Sequence, residues 1–245
     1  GGRTGAYAVP GGVTAIGSYA FHRCSGLTAS ALPGSLVTIG AGAFYACTGL
    51  TNLVIPNGVT SLGSAAFEGC TGLAAATLGT GLAGLDSYVF YGCTGLTNIA
   101  FPGNIASIGY GAFENCSNLV NVSFGGGTAR IAGRAFSGCP GIAPLVIPPG
   151  VVYLGGAAFA GFTGPVYFQG PAPTFELYDA GWERVFYCLN TAGWAAYPLA
   201  KDVWTAAVQF DAQGGSLADP AQTGFVGNAY GTLPAPDLAE HAFAG

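Results

Sequence analysis

The fold class that this 245-residue sequence predicts is a repeat solenoid, mainly β, with short 3₁₀-like arcs and a parallel sheet on one side. Three observations predict it. Phenylalanine recurs at positions 21, 44, 67, 90, 113, 136 and 159, always 23 residues apart. Cysteine recurs at 24, 47, 70, 93, 116 and 139 with the same interval. Leucine or isoleucine follows each of these cysteines by three residues, from Leu27 to Ile142. A fixed period of this length marks a stack of similar coils, in which each coil buries the apolar face of the next.

One unit, residues 50–72, reads LTNLVIPNGVTSLGSAAFEGCTG. Leu53 and Ile55 alternate with Asn52 and Val54, which predicts a short strand with one face inward. Pro56 and Gly58 bend the chain away from that strand. Val59 and Leu62 return side chains to the interior, and Gly63 permits the next turn. Ala66, Phe67 and Cys70 then close a compact arc of 3₁₀ character. By the 23-residue period the stacked strands fall near 6–9, 29–32, 52–55, 75–78, 98–101, 121–124 and 144–147. A further strand at Val166–Phe168 fits after a two-residue deletion. Seven coils about 4.8 Å apart give a rod on the order of 30 Å long. The strand side is expected to be concave.

Composition supports many short buried strands. Charged residues are only 7% of the chain, against about 25% in an ordinary domain. Glycine numbers 43 and methionine is absent. Mean hydropathy is +0.49, yet Gly, Pro, Thr, Ser and Asn interrupt every apolar run before the ~18 to 20 residues that a spanning helix needs. Membrane insertion is therefore not expected. Residues 1–164 hold four arginines and three acids, whereas residues 165–245 hold two bases and eight acids. That shift predicts a change of domain. Neither part has the clustered Lys and Arg of a nucleic-acid site.

Six cysteines in one register, Cys24, Cys47, Cys70, Cys93, Cys116 and Cys139, predict an inward ladder of small buried side chains rather than disulfides. In-register side chains point the same way, and six equivalent sites have no unique pairing. The seventh slot holds Phe162, so the column favours apolar volume over sulfur chemistry. No CxxC and no histidine cluster suggests a metal. No nucleophile elbow, phosphate loop or HExxH motif is present, and the two histidines, His22 and His241, lie far apart. Neither an enzyme nor a cofactor is expected. His22 occupies the slot of Tyr45, Glu68, Tyr91, Glu114, Ser137 and Ala160, a mixture that reads as solvent surface.

The unit resembles the BspA-like leucine-rich repeat of bacterial and protozoan surface proteins, L-x-x-I-x-I-P-x-x-V-x-x-I-G-x-x-A-F-x-x-C, over about residues 6–164. The resemblance implies a right-handed leucine-rich-repeat horseshoe at a cell surface or outside the cell, used for adhesion or protein recognition. It departs from the ribonuclease-inhibitor type in one slot, where Gly58 and Gly81 replace the Asn that stands at Asn104. Residues 206–245, with VQFDAQGG and NAYGTLPAP, resemble the internalin-type B repeat. That implies a small β-grasp-like module, cut short within its motif. The domain reading is thus a solenoid over 1–170, a cap with a short helix near 191–200 over 171–204, and a partial B repeat over 205–245. Trp182, Trp194 and Trp204 would cover the end of the core, and an aromatic carbohydrate platform is the sharper alternative for them.

Solenoids bind along their extended strand face. The outward strand positions nominate Asn52, Val54, Thr77, Asn98, Asn121 and Ser123 as partner-binding residues. The expected partner is a host, matrix or neighbouring cell-surface protein, with carbohydrate as a second class. The competing function is a structural stalk that displays other domains.

Overall fold

The computed structural model describes residues 5–175, apart from 143, 163, 165 and 172, together with the backbone of Val185–Tyr187. Two series of parallel strands run along the stack. The longer strands are Gly5–Ala8, Leu27–Ala31, Asn52–Val54, Ala75–Thr77, Asn98–Ala100 and Asn121–Ser123, which join in one six-stranded sheet. Leu145–Ile147, Val166–Phe168 and Val185–Tyr187 continue the series as a separate three-stranded sheet. The strand positions expected from the period are those observed, within two residues.

The division between the two sheets has a chemical cause. Asn121 N–H donates to Thr97 O in the preceding coil at 3.2 Å. The equivalent residue one coil later is Pro144, which has no N–H to donate. Stacking nevertheless continues on the opposite side, where Phe113 N–H reaches Ala135 O and Phe136 N–H reaches Ala158 O, each at 2.7 Å.

The second strand series was not expected. It consists of two-residue strands: Ala15–Ile16, Thr38–Ile39 and Ser61–Leu62 in one sheet, and Gly84–Leu85, Ser107–Ile108, Arg130–Ile131, Tyr153–Leu154 and Thr174–Phe175 in another. Each of the first seven places one aliphatic side chain inward, such as Ile39, Leu62 or Ile108.

The arcs also differ from expectation. They are hydrogen-bonded turns, not 3₁₀ or α-helical segments, and the described residues contain no helix. In the second coil Ala43, Tyr45 and Cys47 donate to carbonyls three residues back, as a 3₁₀ segment would. The alternate residues Gly42, Phe44 and Ala46 instead donate to Ser64, Ala66 and Glu68 of the next coil. That alternation requires a left-handed backbone at two slots per coil. The first runs Tyr19, Gly42, Ala65, Tyr88, Gly111, Arg134, Ala157, and the second Arg23, Ala46, Gly69, Gly92, Asn115, Gly138, Gly161, all with φ between 53° and 84°.

Between the sheets and the arcs lies a continuous core. Phe21 through Phe159 stack in one file, ring centroids 4.9–5.6 Å apart and planes within 16° of parallel. Phe101 and Phe124 form a second stacked pair that meets Phe136 edge to face. At the slot where most coils lack Asn, Asn104 Nδ2 donates to Thr80 O at 2.6 Å and also to Leu82 O. Ser35 Oγ does similar work at the same slot three coils earlier, donating to Val13 O at 2.9 Å. The cap helix expected near 191–200 and the module expected over 205–245 lie outside the described residues.

Candidate binding surface

The sheet face is built by simple alternation. In Asn52–Val54 and Asn98–Ala100 the central side chain is buried and the flanking two are exposed. Parallel register then aligns equivalent residues across coils. Asn52 pairs with Ala75, Ala75 with Asn98, and Asn98 with Asn121. Val54 pairs with Thr77, and Ala100 with Ser123. All six residues nominated from the sequence are exposed on this one face, Val54 by 62%.

They do not form one cluster. Asn98 and Asn121 are joined, Asn121 Nδ2 donating to Asn98 Oδ1 at 2.6 Å, while Asn98 Nδ2 donates to Thr97 Oγ1 at 2.7 Å. Asn52 is held separately by Thr51 Oγ1 at 3.4 Å. A shallow depression of about 490 Å³ opens beside the Asn98–Asn121 pair, and Ser123, Val120 and Pro144 help to line it. Ala75 and Ala100 form part of its lining, where small side chains leave room. Asn52, Val54 and Thr77 lie outside it.

Val120 was not among the sequence candidates. Its slot holds Thr28, Thr51, Ala74 and Thr97 in earlier coils, so a branched aliphatic residue there, 41% exposed, is the exception that marks it. The face offers amides, a hydroxyl and methyl groups, with no ionisable side chain in the depression. It is equipped for hydrogen bonding and contact, not for proton transfer.

The cysteine ladder is buried and its thiols are free, Cys24 being the half-buried end. Each thiol from Cys47 onward donates to the carbonyl of the phenylalanine in the preceding coil, Cys47 Sγ to Phe21 O at 3.0 Å and Cys139 Sγ to Phe113 O at 3.1 Å. Cys70, Cys93 and Cys116 repeat the contact at 3.1–3.2 Å. Burial pushes the Cys47 thiol up to about 11 and the Cys93 thiol up to about 12. A hydrogen bond with Cys139, and then burial, push Cys116 up as well. Thiols so protonated are poor nucleophiles and poor metal ligands. Among the described residues no three His, Cys, Asp or Glu side chains are grouped to hold a metal ion, and no helix is long and apolar enough to cross a membrane.

On the arc side the slot read as solvent surface is mixed. Glu114 is buried, because Arg134 one coil on reaches it with a 3.3 Å ion pair. His22 is exposed and stacks on Tyr45 at 5.1 Å.

A family model described as the BspA type leucine-rich repeat region matches six copies across residues 6–93 and 37–164. Among solved structures, a leucine-rich repeat protein from Bacteroides ovatus is 29% identical with a TM-score of 0.66. That match covers 74% of this chain and 48% of the other. A leucine-rich repeat protein from Eubacterium ventriosum is 25% identical with a TM-score of 0.60, over 65% of this chain and 43% of the other. The T. pallidum leucine-rich repeat protein is 27% identical with a TM-score of 0.54, over 66% and 72%. The chain thus spans about half the length of the Bacteroides ovatus protein. No curated protein matches it.

Proposed function

Because this chain belongs to the BspA-type leucine-rich repeat family, we propose that it is a non-catalytic binding protein of a cell surface or the extracellular space, which recognises a partner protein through the outer face of its six-stranded sheet. The observation that carries this reading is the Asn98–Asn121 amide pair beside the depression lined by Val120, Ser123 and Pro144. An amide pair fixed by its own hydrogen bond offers further donor and acceptor positions at low entropic cost. The exposed valine and proline supply apolar contact beside it. Such a patch suits a partner's backbone and small side chains.

The test is capture of serum and extracellular-matrix proteins on the immobilised chain, followed by the variant in which Asn52, Asn98 and Asn121 are all replaced by Arg. Saturable capture that the triple variant loses supports the sheet face. Unchanged affinity in that variant overturns it. Absence of any saturable capture favours the structural stalk.

A further inference from the structure

We propose that the arc side of the solenoid carries a second binding surface, for an uncharged linear polysaccharide laid along the rod across Tyr19 and Tyr88. The two tyrosines occupy the same slot three coils apart. At the spacing of stacked strands that separates them by about 14 Å along the axis. Both have a left-handed backbone, φ 57° and 60°, and both are followed one coil later by a glycine in the same slot. The same ring edge fills the space above that glycine in each case. A Cβ on Gly42 would lie 2.6 Å from Tyr19 Cδ1, and a Cβ on Gly111 would lie 2.7 Å from Tyr88 Cε1. The glycine therefore lets each ring settle against the arc by the same edge, Tyr19 staying exposed and Tyr88 half-buried.

Other rings extend each platform. Tyr19 meets His22 edge to face at 5.8 Å, and His22 stacks on Tyr45. Tyr88 meets Tyr91 at 5.7 Å and Tyr110 at 5.5 Å, both edge to face. Tyr19 is 60% exposed and Tyr110 41%, large values for aromatic side chains on a chain that buries its phenylalanines. None of these tyrosines is needed by the core.

The chemistry beside the rings selects the ligand class. Asn115 Nδ2 donates to Tyr91 OH at 3.2 Å. Arg134 is held by Glu114 through one nitrogen while its side chain stays 55% exposed, so fixed guanidinium donors face solvent beside Tyr88. The arcs of the first six coils carry Arg23 and Arg134 against Glu68, Asp86 and Glu114, a near balance of charge. Sugar rings present apolar C–H faces to aromatic rings and hydroxyls to planar donors. A balanced charge suits a neutral chain. Two tyrosine-centred platforms at a fixed spacing along the stack match a regular polymer better than an irregular protein surface.

The test is retention of the purified chain on insoluble cellulose, chitin and xylan. The expected result is retention on at least one, with competition by its soluble oligosaccharides. Tyr19→Ala and Tyr88→Ala should each weaken retention about tenfold, and the double variant should abolish it. Tyr19→Phe should retain binding, and the sheet-face Arg triple variant should bind as the parent does. An unchanged melting curve for the tyrosine variants separates lost binding from lost fold. Failure of all three polysaccharides to retain the chain, or retention by the double variant, overturns the proposal while leaving the sheet-face reading intact.

Discussion

Thr128 sits at a slot that holds Val59, Leu82, Ile105 and Val151 in other coils, and it is fully buried. Its Oγ1 has no hydrogen-bond partner among the described residues. An unsatisfied hydroxyl in an apolar core costs roughly 1–3 kcal/mol of desolvation. Valine has nearly the same shape without that cost. Thr128→Val should therefore raise unfolding stability by about 1 kcal/mol. Urea unfolding followed by circular dichroism would measure this, and a Thr128→Ser control should give no gain. Other single-residue departures from the repeat have a visible use. Asn104 fills a slot of glycines and ties two carbonyls of the previous coil, and Glu114 fills a variable slot and meets Arg134. The repeat consensus marks all of these departures, but only their neighbours 20–24 residues away separate a useful one from a costly one.

At the scale of the arc, the cysteine is more than a small apolar filler. Its thiol adds a second donor to a phenylalanine carbonyl that already accepts the backbone N–H of its own coil's cysteine, as Phe21 O does from Cys24 N at 3.1 Å. The folded ladder also holds its protons. Cys47 and Cys93 are raised by burial to about 11 and about 12, from an ordinary 9.0. Above pH 9 the unfolded chain therefore loses thiol protons that the folded chain keeps. Stability is full below pH 9 and falls as pH rises towards 11–12. A Cys47→Ala, Cys93→Ala variant should start less stable, yet lose less between about pH 8 and pH 10.5 than the parent. Equal losses of unfolding free energy for variant and parent, from denaturant titrations at those two pH values, would count against it. The spacing made the inward ladder and the longer strands legible, because each repeats a residue type over many coils. The short strands were not, since two residues are too few to show alternation and Gly84 has no side chain to display. The left-handed slots were hidden too, because the first of them holds glycine in only two coils of seven. The thiol–carbonyl bond joins residues 26 apart, so no local signal announces it.

For the whole molecule, contacts run from coil to coil, which makes the 23-residue length itself a unit of stability. Sheet pairing links each strand to its counterparts in adjacent coils, as Thr38 pairs with Ala15 and Ser61. The phenylalanine file likewise joins each ring to those before and after it. In such a stack the total stability is close to a sum over coils and their interfaces. Sheet-face candidates were legible from the strand alternation alone, but the depression was not. It depends on Ala75 and Ala100 being small and on Pro144 lying beside Asn121, a juxtaposition of four coils. The additive picture makes a strong prediction. Deleting residues 26–48 removes one full period and joins Ser25 to Gly49, restoring the order Cys24-Ser25-Gly49-Leu50 in place of Cys24-Ser25-Gly26-Leu27. Phe21 then stacks on Phe67 as it did on Phe44, and His22 meets Glu68. The shortened chain should fold with a parent-like circular dichroism spectrum, and its unfolding free energy should fall by roughly a seventh. Deleting only residues 26–36 removes about half a period, sets Phe21 and Phe44 out of register, and should abolish the cooperative transition. A half-period deletion that melts like the full-period one would mean that the coil is not the unit of stability.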